Sequence, residues 1–186
     1  MKLRSSRILV FILVVALSVN ICSVYAQTAK EYMQIGHGYF NKNNLSQAID
    51  SYTKCIELSN DHEEIAGAYY NCAQAYRKQG DLTNAISSFT KAIENDPKND
   101  AHNDTYGKRG LCYYDQGKYA EAISDYTKAI EVYPKDAMAY NNRAVAYYYT
   151  KEYDKAWSDV HKVKELGSHS NPRFLDALKK ASGRDK

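Results

Sequence analysis

Apolar and small residues recur along this chain with a helical period, in paired stretches separated by short breaks. Residues 106–134 show the unit most clearly. Tyr106, Arg109, Gly110 and Tyr113 fall at i, i+3, i+4 and i+7, on one face of a helix. Gly117 and Lys118 interrupt that helix, and Ala122, Tyr126, Ala129 and Ile130 form one face of a second. Pro134 ends the second helix, because proline cannot continue a helix interior. The pattern predicts a helix–turn–helix hairpin with a small-residue seam at which Gly110 meets Ala122.

The unit occurs four times, near 29–62, 66–99, 103–136 and 137–170. An aromatic opens each first helix (Tyr32, Tyr69, Tyr106, Tyr140) and a second follows two turns on (Tyr39, Tyr76, Tyr113, Tyr147). The second helices share an alanine (Ala48, Ala85, Ala122, Ala156), then an aromatic (Tyr52, Phe89, Tyr126) that fades to Val160. The first two steps are three residues longer than the last. The extra residues fall at Asp61-His62-Glu63-Glu64-Ile65 and Asp100-Ala101-His102. Three residues are about one helical turn, so each insert is expected to lengthen the following helix backwards, with Asp61 and Asp100 as N-caps. After the fourth unit, Gly167 closes a helix and Asn171-Pro172 opens another, so 171–186 reads as a capping helix and tail with Phe174, Leu175 and Leu178 on one stripe. Trp157 replaces Ile49, Ile86 and Ile123 of the earlier units and is expected beneath that cap, against Phe174 or Leu178.

These columns resemble the tetratricopeptide repeat (TPR) family over nearly the whole chain after residue 26. The resemblance implies an all-α, right-handed superhelix, an α-solenoid of four repeats, whose concave face is lined by the first helices and holds a protein or an extended peptide. Carried onto this sequence, that face is Met33, Gln34 and His37, then Asn71 and Gln74, then Lys108, Leu111 and Tyr114, then Asn141, Asn142, Tyr148 and Tyr149. Asparagine amides both donate and accept, which suits a peptide backbone. Co-chaperone TPRs grip a C-terminal carboxylate with a clamp of lysines, asparagines and arginine. The matching positions here are Met33, His37, Asn71, Asp104 and Lys108, and only Asn71 and Lys108 fit.

Two columns predict internal ion pairs. Arg109 and Arg143, in the third and fourth units, stand where the first two units have Ile35 and Cys72, and the third and fourth units also carry Asp125 and Asp159 where the first two have Ser51 and Ser88. Folding each hairpin about its turn sets Arg109 opposite Asp125 and Arg143 opposite Asp159. Cys55, Cys72 and Cys112 share columns with small residues and read as buried packing positions; a Cys55–Cys72 bridge between adjacent helices is left open. Of the 18 tyrosines, most fill packing columns, while Tyr70, Tyr114, Tyr148 and Tyr149 lie on first helices off those columns.

Charge changes the picture at the N-terminus. Lys2, Arg4 and Arg7 account for the whole formal excess of +3, and the first 26 residues contain no acid. The remaining chain is neutral overall, which argues against a nucleic-acid partner. The basic start, the apolar run from Ile8 to Val19 and Val24-Tyr25-Ala26 read as an export signal with cleavage before Gln27. An uncleaved anchor is the alternative, and both place the body outside the cytoplasm. Ile21 is too bulky for a lipobox ending at Cys22. The five histidines are dispersed, no metal-ligand spacing or phosphate loop occurs, and acids beside His62 and His102 read as caps. No enzyme, metal, cofactor or small-molecule substrate is expected. The sequence supports a periplasmic or secreted protein-binding scaffold, with a homo-oligomer assembled through the solenoid ends as the second reading.

Overall fold

The computed structural model describes residues 27–96 and 104–184, where every regular element is a helix. These are α1 (27–41), α2 (Leu45–Leu58), α3 (His62–Gln79), α4 (Leu82–Asn95), α5 (Thr105–Asp115), α6 (Tyr119–Val132), α7 (Ala137–Tyr149), α8 (Tyr153–Glu165) and α9 (Pro172–Ser182). Helices pack mainly on their neighbours in sequence, so α1/α2, α3/α4, α5/α6 and α7/α8 make hairpins stacked in a row, closed by α9. The segment read as an export signal lies outside the described residues.

The core follows the columns. The second-helix aromatic of each of the first three hairpins is wedged toward the next hairpin. Tyr52 clusters with Ala48 and Cys72, Phe89 with Ala73, Ala85 and Cys112, and Tyr126 with Ala122 and Ala146. Tyr52, Phe89 and Tyr126 are fully buried, so truncating any one to alanine costs about 3–5 kcal/mol. The fourth hairpin has Val160 at that position, and the space is filled from α9 by Leu178, which clusters with Ala144, Ala156, Trp157 and Val160. Trp157 is 8% exposed and donates its indole N–H to Ser182 Oγ at 3.1 Å, so its ring lies under the cap helix.

Each hairpin turns through one residue of positive φ: Asn43, Gly80, Gly117 and Lys151, at the same place in every repeat. Asp61, Asp81, Asp136 and Asn171 cap α3, α4, α7 and α9 by accepting backbone N–H groups of the first turn. The first insert lengthens α3, as its spacing implies. Glu64 does not close a capping box there; its Oε2 accepts the Ser59 hydroxyl at 2.6 Å, and Ser59 Oγ in turn accepts the Asp61 N–H at 3.1 Å.

One expectation is corrected. Asp100 lies outside the described residues, and α5 starts only at Thr105, with Asp104 at its N-cap position making no side-chain capping bond. The second insert therefore does not add a turn to this helix reaching back to Asp100. Asp104 is instead drawn sideways onto Tyr70, as described below. At Gly110 the nearest atoms of α6 are those of Tyr126 and Asp125: a Cβ there would lie 3.0 Å from the Tyr126 ring and 3.2 Å from Asp125 Cβ. The close approach accommodates the inward-turned ring and carboxylate. Gly36 plays the same part in the first hairpin, where a Cβ would come within 2.4 Å of the Tyr52 ring. Gly38 has nothing within 4 Å of its Cβ position, because no hairpin precedes it among the described residues.

Candidate binding groove

The first helices α1, α3, α5 and α7 stand side by side, and their facing side chains are bonded to one another across the row. Asn71 Nδ2 lies 3.2 Å from His37 Nε2 and 3.4 Å from Met33 Sδ, joining α3 to α1. The Tyr70 hydroxyl donates to both carboxylate oxygens of Asp104, at 2.9 and 3.1 Å, and accepts from Gln74 at 3.4 Å. Burial first, and then the Asp104 carboxylate, push the Tyr70 phenol above its ordinary range. Lys108 sits 3.7 Å from the same carboxylate, so its charge is partly neutralised within α5.

Met33, His37 and Asn71 line a shallow hollow of about 400 Å3 together with Gly67, Asp61, Glu63 and Glu64. Sequence reasoning assigned those three acids to capping and missed that they also form the groove wall. The clue was there, since Asp61 through Glu64 immediately precede the residues aligned with the groove. Gln34 is exposed beside this hollow, and Leu111, Asn141 and Asn142 are half-buried further along the row. Asn141 Oδ1 is buried without a hydrogen-bond partner.

Tyr114, Tyr148 and Tyr149, assigned to the concave face by the resemblance, belong to a ladder of ring contacts. Tyr119 and Tyr149 stack at 4.6 Å and 9°, Tyr114 meets both edge-on, and Tyr148 links Tyr149 to Tyr153 and Phe174. Tyr148 also packs on the cluster beneath α9 and Tyr114 on that of Ala122 and Tyr126. Of the three, Tyr149 alone stays exposed. Column alignment missed this because Tyr119 opens a second helix, and its partner belongs to the next repeat.

The arginines are engaged away from the groove. Arg109 donates from Nε and Nη2 to the two oxygens of Asp125, at 2.8 and 2.7 Å, and from Nη1 to Thr90 Oγ1 at 3.0 Å. Arg143 repeats this on Asp159, at 2.8 Å for both bonds, and on Thr127 at 3.0 Å. Each guanidinium lies between the two aromatics of its own first helix, Tyr106 and Tyr113 or Tyr140 and Tyr147. Burial opposes the Arg109 charge, but the bonds to Asp125 outweigh it and hold its pKa above the ordinary value. One fork thus ties a hairpin together, and its third bond ties the hairpin to the one before it. Sequence columns pointed to the carboxylates; the threonines were not foreseen.

Cys55, Cys72 and Cys112 are free and buried. Burial raises their thiols to about 11, 12 and 11 respectively, so they are inert packing groups at neutral pH. Among the described residues no cluster of histidine, cysteine and acids is arranged to hold a metal ion, and no helix is long and apolar enough to cross a membrane.

Stacked hairpins with a row of first helices define a repeat scaffold. Tetratricopeptide repeat models match residues 29–62, 66–99, 104–136 and 125–158, the last running from α6 through α7 into α8. The chain belongs to the tetratricopeptide repeat family, whose members serve as protein-interaction scaffolds and not as enzymes. No curated protein matches the sequence significantly. Among solved structures, a crystal structure of MamA is 27% identical with a TM-score of 0.68, over 75% of this chain and 78% of that one. A tetratricopeptide repeat protein from Parabacteroides merdae is 23% identical with a TM-score of 0.76, over 84% and 61%. The first TPR of Spaghetti (RPAP3), bound to the HSP90 peptide SRMEEVD, is 25% identical with a TM-score of 0.58, over 65% and 91%.

Proposed function

We propose that this protein is an exported adaptor that holds an extended segment of a partner protein along the row of α1, α3, α5 and α7. The observation that carries the reading is the hollow at Met33, His37 and Asn71, where polar side chains on two repeats converge beside an open acidic wall. Asparagine and glutamine amides along the row suit backbone groups of a peptide without requiring a particular sequence.

The chemistry of the row also selects the ligand. The Spaghetti domain is solved with a peptide ending in acidic residues. Here Asp104 occupies Lys108, and Asp61, Glu63 and Glu64 face the hollow. An acidic tail would meet repulsion at that end, so a neutral or basic segment is the better fit. The basic start and apolar run before Gln27 support export, and the neutral remainder of the chain is consistent with a protein partner.

Peptide-display selection on the immobilised protein tests the groove. Neutral or basic sequences should be enriched and should lose binding to Asn71→Ala. Failure to select any peptide, or selection of acidic tails that ignore Asn71, would overturn the reading. Export is tested separately by cell fractionation and N-terminal sequencing. A mature protein starting at Gln27 outside the cytoplasm is expected, and a cytoplasmic chain retaining Met1 refutes export.

A further inference from the structure

The first hairpin differs from the other three in what its first helix faces. In α3, Ala68, Cys72, Ala75 and Gln79 form a stripe at i, i+4, i+7 and i+11 turned toward the preceding hairpin. Ala68 clusters with Cys55, Cys72 with Tyr52, Ala75 is buried, and Gln79 donates to Ser46 Oγ at 3.3 Å. The same stripe in α5 puts Arg109 on Thr90 and Cys112 against Phe89, and in α7 Arg143 on Thr127 and Ala146 against Tyr126. In α1 and the turn that follows it, the stripe is Glu31, Ile35, Gly38 and Lys42. All four are exposed, with Ile35 47% accessible and nothing within 4 Å of a Cβ at Gly38. Neither Glu31 nor Lys42 has an ion partner among the described residues.

We infer that this stripe is self-complementary and pairs two copies of the chain head to head through α1. When two α1 helices cross antiparallel, about a twofold axis midway between Ile35 and Gly38, Ile35 fills the notch over the partner's Gly38. The same axis sets Glu31 against the partner's Lys42 and repeats both contacts on the other side. A knob, a notch, an acid and a base in this order satisfy one another under a single symmetry operation, as an isologous interface requires. Head-to-tail stacking is closed off, because α9 already covers α8 through Leu178 with Phe174 and Leu175 packed alongside. One helix against one helix is a small interface, so the dimer is weak and concentration-dependent. It leaves the groove open.

Sedimentation of the purified protein over a wide concentration range tests this, with circular dichroism confirming the fold of each variant. A monomer–dimer equilibrium is expected. Gly38→Leu fills the notch from a Cβ position with nothing of its own chain within 4 Å, and should raise the dissociation constant about tenfold or more. Glu31→Lys and Lys42→Glu should each weaken the dimer about tenfold, since every substitution acts twice. Combining the two charge reversals should bring the constant back to within about threefold of wild type. A monomer at every concentration, a dimer indifferent to Gly38→Leu, or a double reversal that fails to rescue would each overturn the inference. Peptide selection reads the groove independently, so the two readings fail separately.

Discussion

Removing the Asp125 carboxylate strands a guanidinium between two hairpins. The Arg109 and Asp125 side chains are 16% and 6% exposed and share two bonds of 2.8 and 2.7 Å. Breaking one side of such a pair costs about 3–5 kcal/mol when burial is complete. Arg109 keeps Thr90 and the Tyr106 and Tyr113 rings, which stabilise the stranded cation, so the low end of the range, about 3 kcal/mol, is expected for Asp125→Ala. For a chain of this length that lowers the melting temperature by about 6–12 °C. Arg109→Ala should cost a similar amount, because it leaves the Asp125 carboxylate buried without its two guanidinium bonds. The double variant should fall short of the sum by about 2 kcal/mol in a double-mutant cycle followed by thermal and urea unfolding. The second hairpin supplies a control, since Cys72 and Ser88 occupy the equivalent positions there. Arg109→Cys combined with Asp125→Ser should therefore be milder than Asp125→Ala alone. Additive single-variant costs, or a double replacement worse than either single one, would refute the view of the pair as a coupled clip.

Three other perturbations read different parts of the molecule. Gly36→Ala drives a methyl into the buried Tyr52 ring and should cost about 1–3 kcal/mol, whereas Gly38→Ala meets open space and should stabilise α1 by up to about 1 kcal/mol; urea unfolding separates them. The three thiols are raised in the folded chain, so the stability they contribute is complete below pH 9 and is lost as pH rises through about 11–12. Unfolding curves between pH 8 and 11 should show that loss beginning above pH 9, and thiol reagents at pH 8 should react only after denaturant is added. Deleting residues 172–186 exposes Trp157 and should red-shift its fluorescence, while an unchanged spectrum would mean that the α9 contact does not shield the ring.

The fold was legible because a solenoid repeats its instructions. Tyr52, Phe89 and Tyr126 each announce the same wedge, and four aligned copies make accidental periodicity implausible. Pairing of columns also set Arg109 opposite Asp125, because the two residues change together between repeats. Side chains that reach out of their own repeat were harder to read. Tyr119 finds Tyr149, Tyr70 finds Asp104 and Arg109 finds Thr90, each across a joint whose rotation no single repeat encodes. The second insert misled too: Asp100 looked like another cap, yet α5 begins only at Thr105, and Asp104 just before it is bonded to a tyrosine of the preceding hairpin. In the groove, sequence located the floor at Met33, His37 and Asn71, but the acidic wall was masked by the capping role of Asp61 and its neighbours.

The unequal joints imply an order of opening. Charged forks on Thr90 and Thr127 rivet the third and fourth hairpins to their predecessors. The first joint relies instead on apolar packing, on the Cys72 thiol near Thr53 and on the Gln79–Ser46, Asn71–His37 and Ser59–Glu64 bonds, with no guanidinium fork among the described residues. Stacked repeats open from their weaker end, so hydrogen exchange should be fastest across α1 and α2 and slowest from α5 to α8. The hollow that crosses this first joint is therefore the most compliant length of the groove, able to widen around an incoming segment while the riveted half keeps its pitch.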